Sequence, residues 1–222
     1  MSDTFQRAKI ALCTVSVLFF ILMVVYFSPV QLAYKLAMPV GLLFIASLWL
    51  LPWQMMLAML FSCTGDYFGA TGNFMAQMGA FALAHIFIIS YFASRYKVGI
   101  SRRKYGRLSK MYMISATAVV LPVLIFAFIG IIPSVPSGVL RYGVIVYSLL
   151  IASMLWLALQ QRSLLFALGA VLFLASDMVL AWNRFVDRVP NCNYFILVPY
   201  YLAQWLLFLR STKWWGRKMD KE

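Results

Sequence analysis

Apolar residues run almost unbroken along this chain, and the punctuation is sparse: Pro, Gly, short polar turns and clusters of basic residues. Divided at those points, the chain yields eight apolar segments, near residues 9–27, 36–51, 53–70, 74–94, 111–131, 139–160, 163–183 and 194–210. A helix rises 1.5 Å per residue, so each approaches the length that crosses about 30 Å of hydrocarbon, the shorter ones with tilt or local thinning. The pattern predicts an all-α, polytopic transmembrane bundle of eight helices, a single membrane domain over residues 1–222. Nothing between the spans is long enough to form a separate soluble domain. The first apolar run follows Arg7 and Lys9 and lacks a small-x-small cleavage pattern at residues 24–28, so it is expected to be retained as a helix.

Composition agrees with that reading. Of 222 residues, 64% are hydrophobic and 11% charged, against roughly a quarter charged in soluble domains. The expectation is an integral, multi-pass membrane protein, of the cytoplasmic membrane if bacterial. A net charge of +13 would suggest nucleic acid in a soluble protein, but in a membrane protein the position of each charge outweighs the sum. With the N-terminus inside, Lys35, Arg141, Arg184 and Arg188 fall outside and the other fifteen basic residues fall inside. That asymmetry predicts N-in, C-in topology and no nucleic-acid partner. The basic run 95–110 is also placed to meet anionic lipid head groups, at about 1 kcal/mol per nearby basic residue. Cys13, Cys63 and Cys192 show neither CxxC nor zinc-type spacing, so neither a disulfide framework nor a metal site is expected.

Against this background two carboxylates stand out. Asp3, Asp187, Asp220 and Glu222 lie in tails or a loop, whereas Asp66, within FSCTGDYFGATGN (61–73), and Asp177, within FLASD (173–177), fall inside apolar segments. An Asp at the centre of a spanning helix costs about 2.5–3.5 kcal/mol on insertion scales, so both should face the bundle interior. Asp66 lies about 6 Å below the outer end of its segment and Asp177 about 9 Å below, depths at which the two could meet. They are 111 residues apart, half the chain, each on the third helix of a four-helix half, which fits two parallel repeats. For Asp66 the plainer alternative is snorkelling from the last turn.

Other polar side chains reach the same zone. His85 lies about 16 Å down its helix, and Tyr200 and Gln204 share a face at i and i+4, with Tyr201 beside them, about 9–15 Å down. Asn183 and Arg184 cap the Asp177 helix at its outer mouth, and Pro199 is expected to kink the last helix. His85 as an interhelical hydrogen bonder and the tyrosines as packing remain the structural alternatives. Gly65 and Gly69 form a GxxxG spacing that marks close helix packing. There is no GxSxG, no HExxH and no phosphate-cradling glycine loop. Asp66, His85 and Asp177 lack ligand spacing on any one helix, so neither metal nor cofactor is expected. A buried carboxylate pair suits an acid–base enzyme, or alternatively a proton-coupled membrane carrier. Against the carrier, no helix is broken at mid-membrane by paired Gly and Pro, since only Pro122 and Pro199 fall well inside spans.

The combination of GDYF (65–68), ALAH (82–85), SDMVLAWNRF (176–185) and YYLAQ (200–204) resembles the lysoplasmalogenase, or YhhN-like, membrane family. The resemblance rests on the third, fourth, seventh and eighth segments; the other four contribute only hydrophobicity. It implies an eight-helix hydrolase that cleaves the vinyl ether bond of lysoplasmalogens, releasing a fatty aldehyde and glycerophosphoethanolamine or glycerophosphocholine. The implied partners are a lysophospholipid substrate and membrane lipid. A vinyl ether is broken by protonating its β-carbon to an oxocarbenium ion that water captures, which requires an acid and a water activator. Asp177 as acid and Asp66 as base is the expected division, with the reverse open. His85, Tyr200, Tyr201, Asn183 and Gln204 would position water or glycerol, and Arg184 the phosphate.

Overall fold

A computed structural model describes residues 3–101 and 107–212. The basic residues Arg102, Arg103 and Lys104, expected to meet head groups, and Lys213, Arg217, Lys218 and Lys221 of the tail lie outside the described residues. Among the described residues there are eight α-helices and no strand: α1 (Asp3–Phe27), α2 (Met38–Leu50), α3 (Trp53–Ala70), α4 (Phe74–Ser101), α5 (Arg107–Phe126), α6 (Val139–Gln160), α7 (Leu164–Phe185) and α8 (Cys192–Ser211). A π-helical turn, Ala127–Ile131, and a 3₁₀ turn, Ile132–Ser134, extend α5.

Among the described residues six helical stretches are long and apolar enough to cross a membrane by themselves, and the chain is an integral, multi-pass membrane protein. They belong to α1, α4, the α5 continuation, α6, α7 and α8. The two remaining helices fall short of the eight expected spans for different reasons. The 13 residues of α2 cover about 20 Å, while α3 is diluted by Gln54, Ser62, Thr64 and Asp66. The apolar segments locate the helices closely, yet α1 and α4 run beyond them into charged sequence. Hydropathy reports where hydrocarbon ends, whereas i→i+4 bonding continues through Arg and Lys, which are good helix formers.

Contacts divide the chain into two compact units, one of Met1–Phe87 with Gln204–Glu222 and one of Ile88–Ala203. In the first, α2 packs against both α1 and α3, around Phe19, Val40, Leu43, Met55, Ala58 and Met59, all without exposure. Trp205 donates its indole N–H to Ser16 Oγ at 3.1 Å and meets Phe20 edge-on at 5.1 Å, which ties the end of α8 to α1. The outer face of α1 shows Val17, Ile21 and Val24, as a helix facing lipid should.

In the second unit, α6 packs against α5 and α7, and Phe92 meets Phe166 edge-on at 5.0 Å. The Gln161 amide donates to the Phe92 carbonyl at 3.0 Å. Gly138, at φ 110°, starts α6, and the Arg141 guanidinium returns to the Val135 carbonyl at 2.6 and 2.9 Å. That bond satisfies a carbonyl left over where the 3₁₀ turn ends.

Candidate active site

In the first unit the local sequence fixes Asp66 close to a helix end. At the C-terminus of α3 the Asn73 N–H donates to the Phe68 carbonyl at 3.0 Å and the Gly72 N–H to the Gly69 carbonyl at 3.2 Å. This is a Schellman stop, and Gly72 supplies the left-handed residue it requires, at φ 76°. Asn73 Oδ1 then accepts from the Ala76 N–H at 3.1 Å, an N-cap for α4. One short turn therefore ends the Asp66 helix and starts the His85 helix.

Above that turn the two helices approach closely. A β-carbon at Gly65 would lie 2.9–3.0 Å from the Phe81 ring, and one at Gly69 would lie 2.7 Å from Gln77 Nε2. The GxxxG spacing is a packing surface, as its sequence suggested. Phe81 also serves His85 one turn later: His85 Nδ1 lies 2.7 Å from the Phe81 carbonyl oxygen. A carbonyl can only accept, so Nδ1 donates, and in a neutral ring Nε2 is then the acceptor nitrogen. Asp66 is 2% exposed, and His85 and Gln204 have no exposure. Ser62, one turn before Asp66, is equally buried.

In the second unit Asp177 sits on α7, eight residues before the helix ends at Phe185, or about 12 Å. The Tyr147 hydroxyl of α6 donates to Asp177 Oδ2 at 2.6 Å. Asp177 is partly exposed on the protein surface, whereas the preceding Ser176 is buried. Tyr200 and Tyr201 are buried; the Tyr200 ring meets Phe173 edge-on at 5.5 Å and lies tilted against the Tyr201 ring at 5.4 Å. Phe173 and Asp177 are four residues apart on α7, hence on one face. Asn183 Oδ1 accepts the Val189 N–H at 2.9 Å, which folds the segment after α7 back onto its end. Arg184 is exposed in the last turn of α7, where a cation complements the helix dipole.

The expected residues thus divide by unit: Asp66, His85 and Gln204 in the first, Asp177, Asn183, Arg184, Tyr200 and Tyr201 in the second. Tyr147 was not foreseen. A depth comparison points to it, because Tyr147 lies eight residues from the start of α6 and Asp177 eight from the end of α7, putting both about 12 Å from the same end of a helix pair.

A model of the YhhN family matches residues 27–211. Lysoplasmalogenase TMEM86B of Homo sapiens is 32% identical over 140 residues, which are 63% of this chain and 54% of that protein. The Mus musculus protein of the same name is 30% identical over 140 residues, with 63% and 54% covered. Lysoplasmalogenase TMEM86A of Bos taurus is 29% identical over 173 residues, 72% of this chain and 65% of that one. The matched region spans about half the length of the human and mouse proteins. No solved structure matches the chain.

Proposed function

This chain belongs to the YhhN family, and on that premise we propose that it is a hydrolase of the lysoplasmalogenase type, cleaving the vinyl ether bond of lysoplasmenylethanolamine or lysoplasmenylcholine. The observation that carries the reading is a pair of carboxylates within a highly apolar helical chain: Asp66, almost fully enclosed, and Asp177, hydrogen-bonded by a tyrosine. The names of the relatives support the same chemistry. The carrier alternative finds no such support.

Asp177 acts as the acid, delivering its proton to the β-carbon of the vinyl ether, and the double-bond electrons form the new C–H bond. The α-carbon and ether oxygen then share the positive charge of an oxocarbenium ion. Ionised Asp66 stabilises that cation and removes a proton from the water that adds to the α-carbon, giving a hemiacetal. Collapse returns the hemiacetal hydroxyl proton to Asp177, while Asp66 passes its proton to the departing glycerol oxygen. The carbon–oxygen bond breaks, a fatty aldehyde and a glycerophospho-alcohol leave, and both carboxyls regain their starting states. Paired carboxylates divided between acid and base in this way serve glycosidases, which also pass through oxocarbenium-like states. His85, Tyr200, Tyr201, Asn183 and Gln204 position water and glycerol in this reading, and Arg184 contacts the phosphate.

The test is fatty aldehyde release from lysoplasmenylethanolamine by the purified protein in detergent, beside Asp66→Asn and Asp177→Asn variants of equal folded yield. Wild type should release aldehyde, and each variant should be slower by about 10²- to 10⁴-fold, the usual contribution of a general acid or base. Wild-type rates in both variants would overturn the assignment, and an inactive wild type would overturn the activity.

A further inference from the structure

Tyr147 lies in the sixth helix, outside the segments that carry the family resemblance, and the hydrolase reading assigns it no role. Its hydroxyl nevertheless makes the short bond to Asp177 Oδ2, at 2.6 Å and from a neighbouring helix. A carboxyl on a single α-helix turns about two side-chain torsions. A donor fixed on a second helix removes that freedom and distinguishes the two oxygens, one held by the phenol and one left for the substrate. The packing of α6 against α7 makes the donor's position a property of the fold rather than of a mobile side chain.

We propose that Tyr147 is a positioning residue for the reaction: it holds Asp177 through Oδ2 so that Oδ1 is the atom that gives the proton to the β-carbon of the vinyl ether and takes it back from the hemiacetal. The inference rests on the hydrolase reading above. It also separates Tyr147 from a purely structural tyrosine whose hydroxyl merely finds an acceptor in an apolar surrounding. A structural tyrosine, once lost, changes stability and leaves turnover per folded molecule as it was. A positioning tyrosine changes turnover, because the carboxyl is mis-set in the transition state, while ground-state lipid binding is unaffected.

The experiment combines kinetics with a spectroscopic reading that does not depend on activity. In protein labelled with ¹³C at the Asp carboxyl carbons, the Asp177 resonance is identified by its loss in Asp177→Asn. Tyr147→Phe should displace that resonance and leave the Asp66 resonance in place. The same variant should lower kcat about 10- to 100-fold, the equivalent of one hydrogen bond to an ionisable group, with KM within about twofold of wild type. Should Tyr147→Phe not fold, 3-fluorotyrosine incorporated at position 147 keeps the shape and alters the donor strength, and kcat should change with thermal stability unaltered. An active wild type with unchanged kcat in the Phe or the fluorotyrosine protein overturns this inference alone, as does an Asp177 resonance indifferent to Tyr147→Phe. A wild type that releases no aldehyde overturns the hydrolase reading, and with it the role of Tyr147, even where the resonance moves.

Discussion

Gln204 has no exposure, and neither the oxygen nor the nitrogen of its amide finds a hydrogen-bond partner among the described residues. A buried amide with neither atom satisfied costs about 1–3 kcal/mol by mutational measures, and an apolar side chain of the same length would avoid that cost. In the hydrolase reading a ligand supplies the missing partners, such as a glycerol hydroxyl or the attacking water. Gln204→Met should therefore leave the melting temperature unchanged or higher while raising KM for lysoplasmenylethanolamine about tenfold, the equivalent of one hydrogen bond. An unchanged KM would reduce Gln204 to packing. At this scale the burial of Asp66, His85 and Gln204 was legible, because Asp, His and Gln are so costly in hydrocarbon that each intramembrane instance draws notice. Tyr147 was not, for the opposite reason: an amphipathic ring is tolerated in apolar helices, and only the acceptor on α7 distinguishes this tyrosine from others.

Helix positions were legible where Pro and Gly coincide with physical breaks, as Pro122 and Pro199, inside α5 and α8, do not. Pro52 precedes α3 in an extended conformation, and Gly72 ends it with positive φ. The pairing of α3 with α4 depends on something hydropathy does not register, the absence of a side chain at Gly65. Phe81 fills that space, and its backbone carbonyl in turn holds His85. A methyl at Gly65 would meet the Phe81 ring at 2.9–3.0 Å, so the ring must move or the helices must part. Gly65→Ala should cost about 1–3 kcal/mol, the range for overpacking a filled core, read as a lower melting temperature in detergent. Adding Phe81→Leu should recover part of the loss, since the two changes share one space and their effects are not additive. Full additivity in the double-mutant cycle would mean that the contact carries no energy. The π-helical turn at Ala127–Ile131 that follows α5 left no mark in the hydropathy, as its residues are as apolar as those of the helix before it.

For the whole molecule, the apolar surface of every segment is alike, so the sequence showed how many helices to expect but not which of them pack as one unit; the unit boundaries fall within α4 and α8. Orientation depends on charge instead. Among the described residues six helical stretches meet the requirements for crossing alone and α2 and α3 do not, yet this leaves the parity intact: a short α2–α3 hairpin that entered and left by one face would remove two crossings and keep both termini on the same side. The turn between them, residues 51 and 52, carries no charge and so does not weigh in the count. The bias of fifteen basic residues against four predicts that this side is the cytoplasmic one. Arg162, in the turn between α6 and α7, and Arg188, between α7 and α8, are both exposed and lie at opposite ends of one spanning helix. In a cysteine-free background, Arg188→Cys should react with a membrane-impermeant maleimide in intact cells, and Arg162→Cys only after permeabilisation. The reverse pattern would overturn N-in topology. The expected pattern would put the outer end of α7 on the non-cytoplasmic side, and Asp177, about 12 Å from that end, would then be reached by lipid from the outer leaflet more readily than from the inner one.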